Sequence, residues 1–284
     1  MSILYIDKSD CVIGKQDNRI TVKYKDGMVR TIPVESIDGI TLLGHAQVTT
    51  QCIQECLKKG ISLSYFSKGG HYFGRLSSTG HIKASLQRKQ AGLYDQPFAL
   101  ELSKKIIYAK IHNQIIVLRR YSKSTNHNIS DIELHMKSAL RKVHYVKSIE
   151  ELMGYEGSAA KYYFKGLSIC IDDAFKFEGR SKRPPRDAFN SMLSLGYSIL
   201  MNELYGEIEI KGLNAYFGFL HRDAEKHPTL ASDMMEEWRA VLIDSTVMSM
   251  INGHEVYIDE FYSDDGEGVY ISKQALNKFI KKLE

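Results

Sequence analysis

Two rhythms divide the chain. Over the first 80 residues, apolar and polar positions alternate in short runs separated by turn-forming residues. Beyond residue 98, apolar positions recur three and four apart over much longer stretches. Ile3-Leu-Tyr-Ile6 opens the alternating part. After a turn at Asp17-Asn18, Ile20-Thr-Val-Lys-Tyr24 alternates, Lys25-Asp26-Gly27 turns, and Val29-Arg-Thr-Ile-Pro-Val34 returns, predicting a β-hairpin. Residues 37–43 predict a further strand. Residues 49–59 predict a short helix closed by Gly60, a residue suited to the left-handed C-terminal cap. Ile61-Ser-Leu-Ser-Tyr-Phe66 and His71-Tyr-Phe-Gly-Arg-Leu76 flank Lys68-Gly-Gly70 as a second hairpin. His45 and His71 are read as strand-end residues rather than ligands.

Ser77-Ser-Thr-Gly80 breaks the strand rhythm, and residues 81–97 read as a linker carrying Lys83, Arg88 and Lys89. These cations are either solvated or a basic strip for phosphate oxygens. Helices are predicted over 99–120, 132–146, 159–175, 188–204 and 230–250, with a short one opened by the capping box Ser148-Ile-Glu-Glu151. On the 99–120 helix, Leu102, Ile106, Ala109, Asn113 and Ile116 lie near one stripe. Lys104, Lys105, Lys110, Arg119 and Arg120 are assigned to a solvated face. A hairpin around Asp264-Asp265-Gly266 and a basic-faced helix over 274–283 close the chain. The fold class is therefore α+β with two domains. A β-rich, β-sandwich-like domain spans 1–80, a basic linker 81–97, and a larger all-α domain bearing the candidate chemistry 98–284.

Composition narrows the picture little. The 284 residues are 43% hydrophobic and 25% charged, ordinary for a globular chain of one or two domains. A net charge of +4 is compatible with nucleic acid without demanding it. No apolar run approaches a membrane span, and Met1-Ser-Ile-Leu-Tyr5 lacks signal-peptide character. Cys52 and Cys56 sit on an amphipathic helical pattern with no partner pair elsewhere, so they, Cys11 and Cys170 are expected as reduced thiols of a cytoplasmic protein.

The candidate chemistry gathers late in the chain. His221 ends Gly218-Phe-Leu-His221, and Pro228 precedes a helix whose first turn carries Asp233 and Glu236 on one face. Acidic residues there either complement the helix dipole, as Glu237 can, or converge with His221 on a hard divalent cation. The second reading requires the loop to fold His221 back over the helix start, and a ligand from another segment. Glu156 is the candidate, flanked by Gly154, Gly157, Ser158, Ala159 and Ala160, whose small size suits a close backbone approach. The alternative is an exposed Glu near a helix N-terminus. Two carboxylates and an imidazole suit Mg2+ or Mn2+ better than a structural zinc. Arg180, Lys182, Arg183 and Arg186, stiffened by Pro184 and Pro185, form either an exposed connection or a phosphate-binding loop. Asp187 is placed to cap the next helix, and Asn190 to orient site groups. Arg239 is placed either to meet a phosphate or to pair with Asp233 or Glu236.

Gly154-Tyr-Glu156-Gly, Arg183-Pro-Pro-Arg-Asp187 with Asn190, Gly218-Phe-Leu-His221, and Asp233-x-x-Glu236-Glu237-x-Arg239 occur in that order. Together they resemble the CRISPR-associated spacer-acquisition endonucleases and integrases, the Cas-one family, across essentially the whole chain. The resemblance implies a divalent metal, Mg2+ or Mn2+, on Glu156, His221 and Glu236, with Asp233 lining the same pocket. It implies attack of a DNA 3′-hydroxyl on a phosphodiester, inserting short duplex spacers into a CRISPR repeat. Arg180, Arg183, Arg186 and Arg239 are the DNA-binding candidates. It further implies a homodimer formed through the β domain, two of which sandwich a dimer of the small Cas-two protein. The sequence departs from the family pattern in Arg222-Asp-Ala-Glu-Lys-His-Pro228, where a more Gly/Arg-rich stretch is expected, and at Trp238, where Phe is commoner. Two other readings stay open: a metal-dependent DNA nuclease without integrase activity, and a non-catalytic DNA-binding scaffold.

Overall fold

The alternating region folds as two four-stranded sheets. The computed structural model describes every residue except 1, 9, 69–71, 223–224, 265–267 and 284. His71, the turn glycines Gly69 and Gly70, and Asp265 and Gly266 thus lie outside the described residues. The strands are β1 (Ile3–Ile6), β2 (Val12–Gln16), β3 (Arg19–Lys23), β4 (Val29–Pro33), β5 (Gly39–Leu43), β6 (Gln47–Val48), β7 (Ser62–Phe66) and β8 (Tyr72–Leu76). One sheet has the order β1-β5-β7-β8, the other β4-β3-β2-β6. The β3–β4 pair is the hairpin expected from its alternation, antiparallel from Arg19 opposite Pro33 to Lys23 opposite Val29. The core draws Ile13, Ile20 and Val22 from one sheet and Ile40, Leu42 and Leu63 from the other. Helix α1 (Thr50–Lys59) adds Cys52 and Cys56 to that core. It starts where Thr49 Oγ1 accepts from the Cys52 amide at 3.3 Å and stops at Gly60, φ 74°. All four cysteines are buried free thiols.

The chain divides into two compact units. The first comprises Met1–Ala84 and Gly206–Leu213, the second Ser85–Tyr205 and Asn214–Glu284. Much of the stretch read as a linker is helical, α2 (Ala84–Gly92). Gln90 on it is buried and donates to the backbone oxygens of Asn214 and Phe217, both at 2.9 Å.

The helical region runs through α3 (Pro97–Thr125), α4 (Ser130–Lys142), α5 (Ile149–Cys170), α6 (Ala188–Ile210) and α7 (Thr229–Trp238). A π-helical turn, Arg239–Asp244, joins α7 to α8 (Ser245–Asn252). The hairpin β9 (Phe261–Asp264) and β10 (Gly268–Ile271) and the helix α9 (Lys273–Leu283) follow. Pro97 opens α3, where its missing N–H costs nothing. The expected short helix after Ser148 and the helix from 159 are one element, α5, because Gly154 and Gly157 continue the helix rather than break it. Its start is as expected, with Ser148 Oγ accepting from the Glu151 amide at 3.2 Å. A different glycine sets the packing of α5 on α3. A Cβ on Gly166 would lie 2.6 Å from Leu118 Cδ2, so only hydrogen fits between the helices. Among the described residues, no helix is long and apolar enough to cross a membrane.

Candidate active site

His221 reaches α7 because Asp233 pulls its loop there, although the helix begins at Thr229 and Asp233 and Glu236 therefore fall in its second turn and not, as expected, in its first. The Asp233 carboxylate is 0% exposed. One oxygen accepts from the Phe219 and Leu220 amides at 2.6 and 3.0 Å. The other accepts from the His221 amide and from His221 Nδ1, both at 2.9 Å. Gly218 makes the turn possible. A Cβ there would lie 2.8 Å from the His221 oxygen and from the Thr229 carbonyl carbon, and both contacts are backbone. The carboxylate fixes the His221 proton on Nδ1 and leaves Nε2 as a lone-pair donor 3.9 Å from Glu236 Oε1. Asp233 therefore stands behind His221, with both oxygens occupied, instead of lining the pocket as expected. Glu236, one turn along, faces the pocket.

Glu236, 3% exposed, meets Glu156 of α5 across the ammonium of Lys110 on α3. Lys110 Nζ contacts Glu156 Oε1 and lies 2.5 Å from Glu236 Oε2. Glu236 Oε2 is buried and receives no hydrogen bond in bonding geometry, so the Lys110 contact is one of charge. Arg239 Nη2 stands 3.1 Å from Glu236 Oε1, which is the ion-pair alternative expected for Arg239. Burial alone would raise the Glu236 pKa, but the charges of Lys110 and then Arg239 hold it at about 2.

The placement of Lys110 corrects the sequence reading, which put it on a solvated face; it is 8% exposed. Its spacing from Ile106, Ile107 and Gln114 places it on the buried stripe, a signal the charge obscured. Glu156 lies in one cavity with His221 and Glu236, but not through the close backbone approach that its small neighbours suggest. No heavy atom lies within 4 Å of a Cβ built on Gly154 or Gly157, so no backbone approaches there, and Gly157 lines open cavity.

A cavity of about 1020 Å3 opens on these groups. Its lining includes Glu156, His221 and Glu236, faced by Lys161, Lys165, Lys176, Arg180, Lys182 and Arg239. Such a cationic wall suits a polyanion. Arg180 belongs to this wall instead of the exposed loop. Its guanidinium donates to Asn190 Oδ1 at 2.8 Å and to Ser194 Oγ at 3.1 Å. Asn190, 0% exposed, in turn donates to the Gly179 oxygen and to Asp187 Oδ2 at 2.8 and 2.7 Å. Its amide donates to Asp187 Oδ1 at 2.7 Å, the helix cap expected of Asp187. Lys182, Arg183 and Arg186 are exposed. Lys182 is nonetheless partly desolvated at the cavity mouth, and this, with Arg239 and Arg180 close by, lowers its pKa.

Beneath the wall lies a group that no motif in the sequence singles out. The Tyr197 ring carries the Arg239 guanidinium at 4.8 Å and that of Arg180 at 5.3 Å. Its hydroxyl and that of Tyr163 both donate to Asp244, which is 1% exposed at the end of the π-helical turn. Burial raises the Asp244 pKa to about 6, although the Tyr197 and Tyr163 hydrogen bonds, Arg239 and Arg180 all oppose it. Nothing local to Asp244 in sequence announces these partners.

The donor set fits a hard divalent ion. An imidazole with its second nitrogen held by a carboxylate, and two further carboxylates, one of which has a buried oxygen that receives no hydrogen bond, are what such an ion takes up. As they stand, no three His, Cys, Asp or Glu among the described residues gather closely enough to hold one, and the Lys110 ammonium lies between Glu156 and Glu236.

The family model described as CRISPR associated protein Cas1 matches residues 4–284. The CRISPR-associated endonuclease Cas1 of Mycobacterium tuberculosis is 41% identical over 280 residues, 98% of this chain and 82% of its own. A solved CAS1 protein from Thermotoga maritima shares the fold, with TM-score 0.87 at 23% identity over 100% of this chain and 89% of that one. A chain of a Cas6-RT-Cas1–Cas2 complex has TM-score 0.84 at 25% identity, over 99% of this chain and 32% of that longer one.

Proposed function

The chain belongs to the Cas1 family, and on that premise we propose that it is the endonuclease and integrase of CRISPR adaptation, joining short DNA duplexes to a CRISPR array at a divalent-metal site. The observation that carries this reading is the Asp233–His221 hydrogen bond, which turns His221 Nε2 toward Glu236. Glu156, His221 and Glu236 would hold Mg2+ or Mn2+. When bound, the ion supplies Lewis-acid stabilisation to a phosphate oxygen and acidifies the attacking DNA 3′-hydroxyl or water.

The chain's own residues orient the reactants. Asp233 is the positioning residue that holds His221 in its tautomer. Arg239 and Arg180, fixed over Tyr197, and Lys182 at the cavity face the phosphodiester and offset the charge it gains. Exposed Arg183 and Arg186 engage the DNA backbone further out, giving affinity without sequence choice. The partners in this reading are the spacer duplex, the CRISPR repeat, a second copy of the chain bound through the strand-rich domain, and a Cas2 dimer in the cytoplasm. The Cas1–Cas2 association named for the structural neighbour supports the last protein partner.

Strand transfer tests the reading. Purified protein, with and without Cas2, is incubated with a labelled duplex bearing 3′-hydroxyls and a supercoiled plasmid carrying a leader and repeat. Label joined to plasmid in Mn2+ or Mg2+, absent in EDTA and in His221→Ala, is expected. Nicking without joining would reduce the protein to a plain nuclease. Retained DNA binding with no metal-dependent chemistry would make it a scaffold, and full activity in His221→Ala would remove the site.

A further inference from the structure

Two carboxylates brought together with little exposure to solvent need a positive charge between them. In this chain the charge is covalently attached. Lys110 extends from α3, 8% exposed, and its ammonium contacts Glu156 from α5 and Glu236 from α7 at once. Among the described residues Lys110 is the cation paired with Glu156, whereas Glu236 also has Arg239 on its second oxygen. A divalent ion held by the same two carboxylates would lie against this ammonium, and like charges at such separation exclude one another.

We propose that Lys110 is the resident cation of the Glu156–Glu236 pair, and that a divalent ion must displace it to enter. The ammonium keeps the metal-free site assembled and lowers its apparent metal affinity. The proposal rests on the divalent-metal reading of the site. A second observation supplies the landing point. Gln114, one turn along α3 from Lys110, is buried and lines the same cavity, and its Oε1 has no hydrogen-bond partner. Residues four apart on a helix are within side-chain reach, so Gln114 Oε1 can accept from the displaced ammonium. There the charge joins Arg180, Lys182 and Arg239 on the wall that faces phosphate. The exchange couples metal entry to the appearance of one more cation for substrate.

The test uses Mn2+ alone, without DNA. Calorimetry on wild type, Lys110→Met and His221→Ala measures affinity. Thermal melting in EDTA and in Mn2+ measures the linked stability. Lys110→Met is expected to bind Mn2+ about tenfold tighter or more, since no competing cation holds part of the population closed. It should melt lower than wild type in EDTA and gain more from Mn2+. Binding equal to or weaker than wild type would overturn displacement while leaving the metal site standing, and would make Lys110 a prop for the ligands. No binding by wild type or Lys110→Met would take down the metal reading and this proposal with it.

Wild-type protein gives a check independent of any variant. Acetylation by acetic anhydride, read by mass spectrometry, should be low at Lys110 in EDTA and rise when Mn2+ is added. Unchanged protection of Lys110 on saturation with Mn2+ would overturn the proposal.

Discussion

Replacing Asp244 by Asn separates the charge of this buried carboxylate from its shape. In the folded protein the Asp244 pKa rises from 3.8 to about 6, chiefly through burial. A rise of that size is worth about 3 kcal/mol. Its sign follows from proton binding. Between about pH 4 and pH 6 the native carboxyl keeps a proton that the unfolded chain has released, so stability falls as pH increases. The contribution is complete below the unfolded pKa and gone above the folded one. Asn does not titrate and is free of this slope, while its amide oxygen still accepts from one tyrosine. Urea unfolding followed by far-UV circular dichroism, at steps from about pH 4 to pH 7.5, yields the wild-type and Asp244→Asn stabilities. The difference between them should move by about 3 kcal/mol in favour of the variant across that interval. Titrations common to both proteins cancel in the difference. Curves that stay parallel across the interval would show that Asp244 is not protonated in this range, and that the two guanidiniums over Tyr197 outweigh its burial.

Gly218→Ala should lose Mn2+ binding while retaining helical circular dichroism, because the added methyl meets backbone at 2.8 Å and pushes the His221 turn off α7; unchanged affinity would show that the turn relaxes without moving the imidazole. Gly166→Ala places a methyl 2.6 Å from Leu118 and should cost about 1–3 kcal/mol in urea unfolding, with Leu118→Ala in the same chain restoring part of it. Arg183→Ala should weaken duplex binding for all sequences alike and reduce the slope of log affinity against log salt by about 1. Arg180→Ala, which strips partners from Asn190 and Ser194, should instead lower the melting temperature of the free protein. Equal salt slopes and equal melting for the two arginine variants would erase the distinction between loop and wall.

What could be read from sequence is what depends on near neighbours. Thr49 and Gly60 bracket α1 because a cap is satisfied within three or four residues. The β3–β4 hairpin follows from alternation on both sides of one turn. Asp233 and Glu236 are placed on one helical face by spacing alone, and the loop then brings His221 to them. Long-range pairing hides the remainder. Lys110 carries a charge, and composition-based reading sends charges to solvent, yet its partners are 46 residues away in Glu156 and further still in Glu236. Tyr197 and Asp244, 47 residues apart, look like an ordinary aromatic and an ordinary acid until the fold stacks two arginines on one and aims two hydroxyls at the other. Gly154 and Gly157 suggest a close backbone approach beside Glu156, but they lie inside the continuous helix α5, which packs against α3 and α4 through other residues.

The π-helical turn at Arg239–Asp244 acts as a phase shifter in an otherwise continuous rod. An α-helix advances each residue by about 100°, and a π turn absorbs one residue, so everything beyond it is rotated by about that angle relative to an unbroken helix. Arg239 therefore reads one azimuth, over the face of Tyr197, and Asp244 another, under its hydroxyl. Deleting a single residue inside the turn would leave a helix of good hydrogen bonding and wrong phase. Secondary structure would survive such a deletion, and the clamp that grips Tyr197 from both sides would not.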